Sequence, residues 1–209
     1  MINHEKKMDR DTPKLYGLVL AGGKSTRMGS DKGLLKYHSV PQQEYLYNLL
    51  DKVCDKVFLS MRKEQKVDLP TDFNVIYDQN EYRGPFNGIL SAHKTHPNVA
   101  WLVLACDLPL INLSSLEKLV KKRDSERFAT SFATKKSDLP EPLITIWEPK
   151  GLVKAMTYLE TTESSCPRKF LINSEIALAY PERDEILYNA NSLEDYEFVK
   201  TKIALSDGV

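Results

Sequence analysis

The sequence has no net charge, few cysteines and no long apolar run, and each absence removes a class of function. Its 209 residues carry 29 Lys plus Arg and 29 Asp plus Glu, so no overall basic field would attract a nucleic acid. The opening MINHEKKMDRDTPK lacks the apolar core of a signal peptide or membrane anchor, and we expect residues 1–14 to form a flexible tail. Three widely spaced cysteines, without a C-x-x-C pair or clustered histidines, indicate a reduced cytoplasmic location and argue against structural zinc.

What the sequence does have is a regular alternation of short apolar runs with segments of helical period. Such alternation is typical of a three-layer α/β/α domain with a Rossmann-like, mostly parallel sheet. No repeat, low-complexity tract or long linker divides the chain, so we predict a single domain over residues 15–205. The candidate strands are residues 16–20, 57–60, 74–78, 101–107, 129–134 and 143–147, and a last strand ending in ILYNAN.

The stretch LAGGKSTRMGSDKG, residues 20–33, follows the first candidate strand and combines four glycines with Lys24, Arg27 and Lys32. Glycines let backbone amides approach a ligand closely, and the cations would attract phosphate. Spacing excludes two common phosphate loops, because Leu18 stands where a Walker loop needs its first glycine and the G-x-G-x-x-G pattern is missing. The alternative is a solvated loop whose glycines only turn the chain, but so many glycines and cations directly after a buried strand favour phosphate binding.

Polar residues close several of the candidate strands. Asp78 ends NVIYD, Asp107 ends WLVLACD, and Asn189 and Asn191 close the predicted last strand. In open α/β sheets, ligands lie beyond the carboxyl ends of the strands. Asp107 could hold Mg²⁺, which prefers oxygen ligands, or it could cap the turn that follows, and the spacing leaves both possibilities open. Turn chemistry is the favoured explanation for Asp78 and the two asparagines taken alone.

Together these residues resemble a known family. LAGGKSTRMGSDKG is similar to the signature L-A-G-G-x-S-x-R-M-G-x-D-K of the molybdenum cofactor guanylyltransferases, which are MobA-like nucleotidyltransferases. In the family's order, GPFNGI resembles its G-P-L-x-G motif, LACDLPL its C-D-x-P, PLITIW its P-L-F-A-L-W, and NANSLED its N-x-N-T-P-E-D. The resemblance therefore covers the chain from Leu20 to Asp195.

The resemblance implies transfer of GMP from GTP to molybdopterin-bound molybdenum cofactor, with release of pyrophosphate and formation of the guanine dinucleotide. It implies that Asp107 is the Mg²⁺ ligand and that Arg27 and Lys32 act with it on the phosphates. It further implies contacts to the nucleotide or the pterin from a larger set: Leu20, Ala21, Gly22, Gly23, Asp78, Asn189 and Asn191. Where many relatives place an asparagine after the second strand, this chain has Met61 and Arg62, and Ser60 is a candidate replacement.

Other functions remain open at this point. The LAGG start and the Asp31–Lys32 pair favour GTP over CTP, because related cytidylyltransferases carry L-A-A-G. The alternatives are a nucleotidyltransferase that uses CTP or a sugar phosphate, and a nucleotide-binding regulatory module that has lost catalysis. For the guanylyltransferase we expect GTP and molybdopterin cofactor as substrates, no nucleic acid or membrane partner, transient contact with other cofactor-biosynthesis proteins, and a monomer or weak oligomer.

Overall fold

A seven-stranded sheet runs through the protein, whose computed structural model describes residues 12–23, 31–65 and 67–207. The strands lie in the order β3-β2-β1-β4-β6-β5-β7. Pairings among the first four strands are parallel, β6 is antiparallel to both of its neighbours, and β7 is parallel to β5. The strands are β1 (Leu15–Leu20), β2 (Lys56–Met61), β3 (Val75–Tyr77), β4 (Ala100–Ala105), β5 (Ala129–Ala133), β6 (Pro140–Trp147) and β7 (Ala177–Ala179).

Helices connect the strands and cover the sheet. Three of them have proline in the first turn, where the missing N–H costs nothing. Within the part of the chain that the structure describes, no helix has the length and apolar character to cross a membrane. The helices are α1 (Gln42–Asp51), α2 (Pro85–Thr95), α3 (Leu113–Lys121), α4 (Pro149–Thr161), α5 (Pro167–Ile172) and α6 (Leu193–Asp207), with short 3₁₀ segments at Lys32–Leu34 and Asp184–Leu187.

The central strands bury both of their faces, and this creates the three layers. In β4, Leu102 and Leu104 pack with α1 and α3 on one face of the sheet. Trp101 and Val103 pack with α2, α4 and α5 on the other face. Every residue of β4 is buried, as expected for a parallel strand covered by helices on both sides. The predicted three-layer α/β/α fold with a mostly parallel sheet is confirmed.

Two local predictions need correction. The stretch ILYNAN is not a strand, since Ile186 and Leu187 bury themselves at the end of a 3₁₀ segment and Asn189 follows in irregular chain. The last strand is instead β7, which lies beside β5 and is too short to give a periodic signal. Strand β6 also begins at Pro140, before the predicted start at residue 143, because an irregularity in the β5–β6 pairing lets the chain rejoin the sheet earlier.

A buried ion pair holds the sheet edge opposite the carboxyl ends of the parallel strands. Glu148 is 1% exposed and accepts hydrogen bonds of 2.6 and 2.9 Å from Arg123. Arg123 also donates to the carbonyl of Pro13 at 2.9 Å, and the Lys14 carbonyl accepts from the Ala100 amide at 2.9 Å. Both carbonyls lie within the predicted tail of residues 1–14, of which residues 1–11 are outside the described part of the chain. The attachment of the chain to the sheet therefore begins before residue 15.

Gly151, in the first turn of α4, is expected to tolerate no side chain. A Cβ atom there would lie 2.1 Å from the carbonyl oxygen of Phe128, a backbone atom that cannot move aside cheaply. We expect Gly151→Ala to lower the free energy of unfolding by about 1–3 kcal/mol, as overpacking does. Chemical denaturation would measure it. Val153→Ala, at a 58% exposed position of the same helix, is the control and should stay within about 0.5 kcal/mol. A Gly151→Ala protein at least as stable as the parent would contradict the prediction.

Candidate active site

The carboxyl ends of the first four strands meet at one edge of the sheet and border a cleft. Leu20 at the end of β1 is level with Ser60 in β2 and Ala105 in β4. The chain moves outward from β1 to β2 and β3 and then crosses to β4 on the other side, which makes this the switch point where ligands bind in such sheets. The cleft has a volume of about 440 Å³. Of the predicted site residues, it is lined by Leu20, Ala21, Gly22, Gly23, Lys32, Asp78 and Asp107.

Asp78 forms one side of the cleft at the end of β3. It is 6% exposed and accepts a 2.6 Å hydrogen bond from the hydroxyl of Ser60. Burial raises the pKa of Asp78 above its usual range, while hydrogen bonds from Ser60 and Asn87 and the charge of Arg62 act in the opposite direction. A Cβ on Gly22 would lie 2.8 Å from Asp78 Oδ2, so glycine is what lets the loop pass this carboxylate.

Asp107 forms the other side of the cleft, just beyond the end of β4. Its Oδ1 atom is buried and has no hydrogen-bond partner among the described residues. Burial raises the pKa of Asp107, and the charge of Lys32 partly offsets that effect. The turn after β4 is closed by the Leu108 amide, which donates to the Ala105 carbonyl at 3.2 Å. Within the part of the chain that the structure describes, Asp107 Oδ1 does not cap this turn, and this favours a binding role over the turn-capping alternative.

Magnesium fits this position. Mg²⁺ in nucleotide sites is held by one or two carboxylates, with substrate phosphates and water completing its octahedral shell. The described residues contain no cluster of three or more histidine, cysteine or acidic side chains that could enclose a metal. A buried carboxylate oxygen without a partner is costly, and a hard cation would satisfy it. The single carboxylate of Asp107 therefore suits an ion that arrives with a triphosphate.

Lys32 connects the stretch of residues 20–33, the glycine-rich loop, to the distant segment of residues 189–191. Its ammonium group donates to the Ala190 carbonyl and to Asn191 Oδ1, both at 2.8 Å. The Ala190 amide in turn donates to the Asp107 carbonyl at 2.8 Å. Because a lysine ammonium has three N–H donors, one remains for an anionic ligand. Hydrogen bonds thus connect Lys32, the segment of residues 189–191 and the backbone of Asp107.

Asn189 and Asn191 are not brought into the cleft in the same way. Neither residue is among those that line the cleft. Asn191 Oδ1 faces Lys32, and the side-chain amide of Asn189 donates through Nδ2 to the Leu187 carbonyl at 3.1 Å. A capping box precedes α6, because Asp195 Oδ2 accepts from the Ser192 backbone amide at 2.9 Å and the Asp195 backbone amide donates to Ser192 Oγ at 3.1 Å. Arg27 and Lys24 belong to residues 24–30, which are outside the described part of the chain.

The stretch S-M-R-K-E-Q, residues 60–65, contributes Ser60, which was a candidate, and two polar side chains that the prediction did not assign, Arg62 and Gln65. Besides Ser60 and Arg62, which line the cleft, Gln65 holds the two ends of the glycine-rich loop. The side-chain amide of Gln65 donates through Nε2 to the Ala21 carbonyl at 2.9 Å and to Asp31 Oδ2 at 2.7 Å. The available signal was a cluster of polar residues directly after a buried strand, where ligands bind in such sheets.

Comparison with known proteins identifies the family. Residues 17–177 match the MobA-like NTP transferase domain. The chain belongs to this family. The glycine-rich loop and Asp107 lie within the matched part of the MobA-like domain, whereas the segment around Asn189 lies beyond it.

Two relatives of this MobA-like domain are named for the molybdenum cofactor. The chain is 39% identical over 191 residues to the molybdenum cofactor biosynthesis bifunctional protein of Synechocystis sp., which covers 91% of this chain but 55% of that protein. It is 30% identical over 182 residues to the molybdenum cofactor guanylyltransferase of Pseudomonas fluorescens, covering 85% of this chain and 89% of that protein. The chain thus spans only about half the length of the bifunctional relative.

Solved structures share the fold of the MobA-like domain. Molybdopterin-guanine dinucleotide biosynthesis protein A from Archaeoglobus fulgidus has a TM-score of 0.74 and 18% identity, covering 90% of this chain and 98% of that chain. A nucleotidyl transferase from Methanothermobacter has a TM-score of 0.72 and 14% identity, covering 92% and 99%. At such low identities the likeness shows the fold alone.

Gly88, in the first turns of α2, is expected to be essential for the Asp78 side of the cleft. A Cβ at this position would lie 2.4 Å from Ser60 Oγ and 2.8 Å from the Leu20 side chain. Ser60 would have to move and give up its hydrogen bond to Asp78. We expect Gly88→Ala to weaken binding of a nucleoside triphosphate about tenfold, or about 1.4 kcal/mol, as measured by equilibrium titration.

The matched control for Gly88→Ala removes Ser60 Oγ, the nearer of the two atoms that a Cβ at Gly88 would meet. Ser60→Ala deletes the hydroxyl, so adding Gly88→Ala to that variant should cost less than adding it to the parent protein. The same loss of affinity in both backgrounds would show that the contact between Gly88 and Ser60 is not the cause.

Proposed function

We propose that this protein transfers GMP from GTP to the terminal phosphate of molybdopterin-bound molybdenum cofactor, releasing pyrophosphate and forming the guanine dinucleotide cofactor. The observation that carries the proposal is the buried Oδ1 of Asp107, which lies beside Lys32 at the edge of a glycine-lined cleft and has no hydrogen-bond partner within the described residues. This arrangement suits a metal-bound triphosphate. The choice of guanine and of the pterin acceptor is supported by the name of the Pseudomonas fluorescens relative, a molybdenum cofactor guanylyltransferase.

The reaction needs alignment and charge neutralisation from the protein, and no side-chain nucleophile. An oxygen of the acceptor phosphate attacks the α-phosphorus of the nucleotide, and the bond between the α- and β-phosphates breaks with pyrophosphate as the leaving group. Bound at Asp107, Mg²⁺ would supply electrostatic stabilisation between the triphosphate and the acceptor phosphate. The free N–H of Lys32 and the backbone amides of Gly22 and Gly23 would stabilise the charge that develops on pyrophosphate. We propose that Arg27 clamps the phosphate chain with them.

The two substrates would occupy different sides of Asp107. Asp78 and the backbone of Leu20 would hold the nucleoside, since they line the part of the cleft next to β2 and β3. The acceptor would approach from the side of Asn189 and Asn191, whose segment is tied to Asp107 through Ala190. Asn191 would contact the acceptor there. Its Oδ1 also accepts a hydrogen bond from the ammonium group of Lys32.

The test is a nucleotide panel with the proposed acceptor. Purified protein, Mg²⁺ and molybdopterin cofactor are incubated with GTP, CTP, ATP or UTP, and pyrophosphate release is followed together with identification of the product. Release from GTP that depends on the cofactor and gives the guanine dinucleotide is the expected result. Preferential release from CTP would replace the proposal with the cytidylyltransferase activity. Binding of GTP and Mg²⁺ without turnover would indicate a regulatory module.

A further inference from the structure

Arg62 is a cation on the Asp78 side of the cleft whose role is not assigned by the family motifs. It follows β2 directly and lines the cleft. Its Nε atom is buried, and within the described residues it has no hydrogen-bond partner. The positive charge of Arg62 partly offsets the rise that burial causes in the pKa of Asp78. No ion pair involving Arg62 forms among the described residues. The Nε–H of Arg62 is therefore a donor without an acceptor in the part of the chain that the structure describes.

The position of Arg62 is set by its neighbours on both sides. Its amide donates to Gln65 Oε1 at 3.4 Å, and its carbonyl accepts from the Gln65 amide at 3.1 Å. Its side chain packs beside Gly22, where a Cβ would lie 3.6 Å from Arg62 Cγ and 2.8 Å from Asp78 Oδ2. Gly22 therefore lies between the Arg62 segment and Asp78 Oδ2, and its lack of a side chain leaves the space between them open.

A donor and an acceptor on one side of the cleft suit the edge of guanine that carries O6, N1–H and the 2-amino group. Guanine presents the O6 acceptor beside its two donors, and in DNA recognition arginine commonly donates to guanine O6 and N7. Asp78 Oδ1 already accepts from Ser60, and its other oxygen, Oδ2, faces the gap beside Gly22. Leaving a buried guanidinium N–H without an acceptor is costly, so a base carbonyl in this position would be well bound.

We propose that Arg62 donates to O6 of the guanine ring while Asp78 accepts from the N1–H and 2-amino groups, which makes Arg62 a specificity-determining residue. The inference rests on the proposed function for the identity of the nucleotide. It adds a base contact that replaces the asparagine found in many relatives, because Ser60 is engaged with Asp78. Lys32 and Asp107, on the other side of the cleft, are left to the phosphates.

The test compares GTP with 6-thio-GTP, in which sulfur, a weak acceptor, replaces O6 and leaves the N1–H and 2-amino groups unchanged. Dissociation constants are measured for the full chain with Mg²⁺ and without acceptor, so that turnover is not required. We expect the parent protein to prefer GTP, and Arg62→Met to weaken GTP binding by at least about fivefold, the lower limit for such a contact, while 6-thio-GTP binding changes little. Arg83→Met, at an exposed arginine outside the cleft lining, is the control.

Each other outcome overturns the inference. Equal losses for GTP and 6-thio-GTP would place Arg62 on the ribose or the phosphates, and unchanged GTP binding would remove it from the site. Arg62→Lys keeps the charge without the planar fork and should also lose the preference, which separates base recognition from general attraction. Thermal unfolding checks that the variants fold. A parent protein that prefers CTP would contradict the proposed function, whereas a GTP-selective parent with an unaffected Arg62→Met variant would overturn only the inference.

Discussion

Replacing Asp107 with asparagine is expected to reduce turnover by about 10²- to 10³-fold, the loss seen when one electrostatic contact to a transition state is removed. The amide keeps the shape of the carboxylate but not the charge that a metal requires. The buried Oδ1 of Asp107 has no partner among the described residues, so no described hydrogen bond to that atom is broken by the change. The measurement is the rate of pyrophosphate release at saturating GTP and Mg²⁺.

The control for Asp107→Asn is the same substitution at Asp72, which is exposed in the turn before β3. Asp72→Asn should leave the rate unchanged. Thermal unfolding should show that Asp107→Asn is no less stable than the parent, because the substitution removes a buried charge. Turnover close to that of the parent would refute the role assigned to Asp107.

Lys32→Ala is expected to lower kcat/KM for GTP by about 10²-fold. The substitution removes a cation from the phosphate side of the cleft and also the hydrogen bonds to the Ala190 carbonyl and Asn191. The triphosphate would therefore lose a positive charge, and the segment of residues 189–191 would lose its hydrogen bonds to Lys32. Steady-state kinetics at limiting GTP measure the effect. Lys36→Ala, at an exposed lysine of the same segment, is the control and should be silent. Unchanged kinetics for Lys32→Ala would count against its role.

The same variant should change the pH dependence of the reaction. Burial raises the pKa of Asp107, and the charge of Lys32 lowers it. The ionised carboxylate is the active form, so kcat/KM falls as the pH falls through this pKa. Removing Lys32 raises the pKa further, and the acidic limb of the profile should move to higher pH. An acidic limb that stays in place or moves to lower pH would show that this limb does not report Asp107.

The sequence by itself determined the architecture and named residues that the structure places around the cleft. Alternation of apolar runs with helical segments reports which residues are buried, and burial on both faces is what makes a parallel sheet with two layers of helices. Asp107 was recognisable as a candidate ligand because it directly follows a buried strand, and the edge where such strands end is where ligands bind. For Asp78, turn chemistry was the favoured explanation until the family resemblance gave it a role. The glycines after β1 were recognisable because a backbone that must pass close to a ligand or a carboxylate has no room for a side chain, as Gly22 shows.

Only the tertiary structure decided how these parts support one another. Lys32 and Ala190 are 158 residues apart in the sequence, and their hydrogen bond forms because β1 and β4 are neighbours in the sheet. The antiparallel direction of β6 and the short strand β7 were likewise outside the reach of local periodicity, since pairing depends on partners elsewhere in the chain. Arg62 was visible in the sequence as a departure from the family. Its place beside Asp78, with a buried Nε that has no hydrogen-bond partner among the described residues, became apparent only when β2 and β3 were placed side by side, because long-range contacts leave no local pattern.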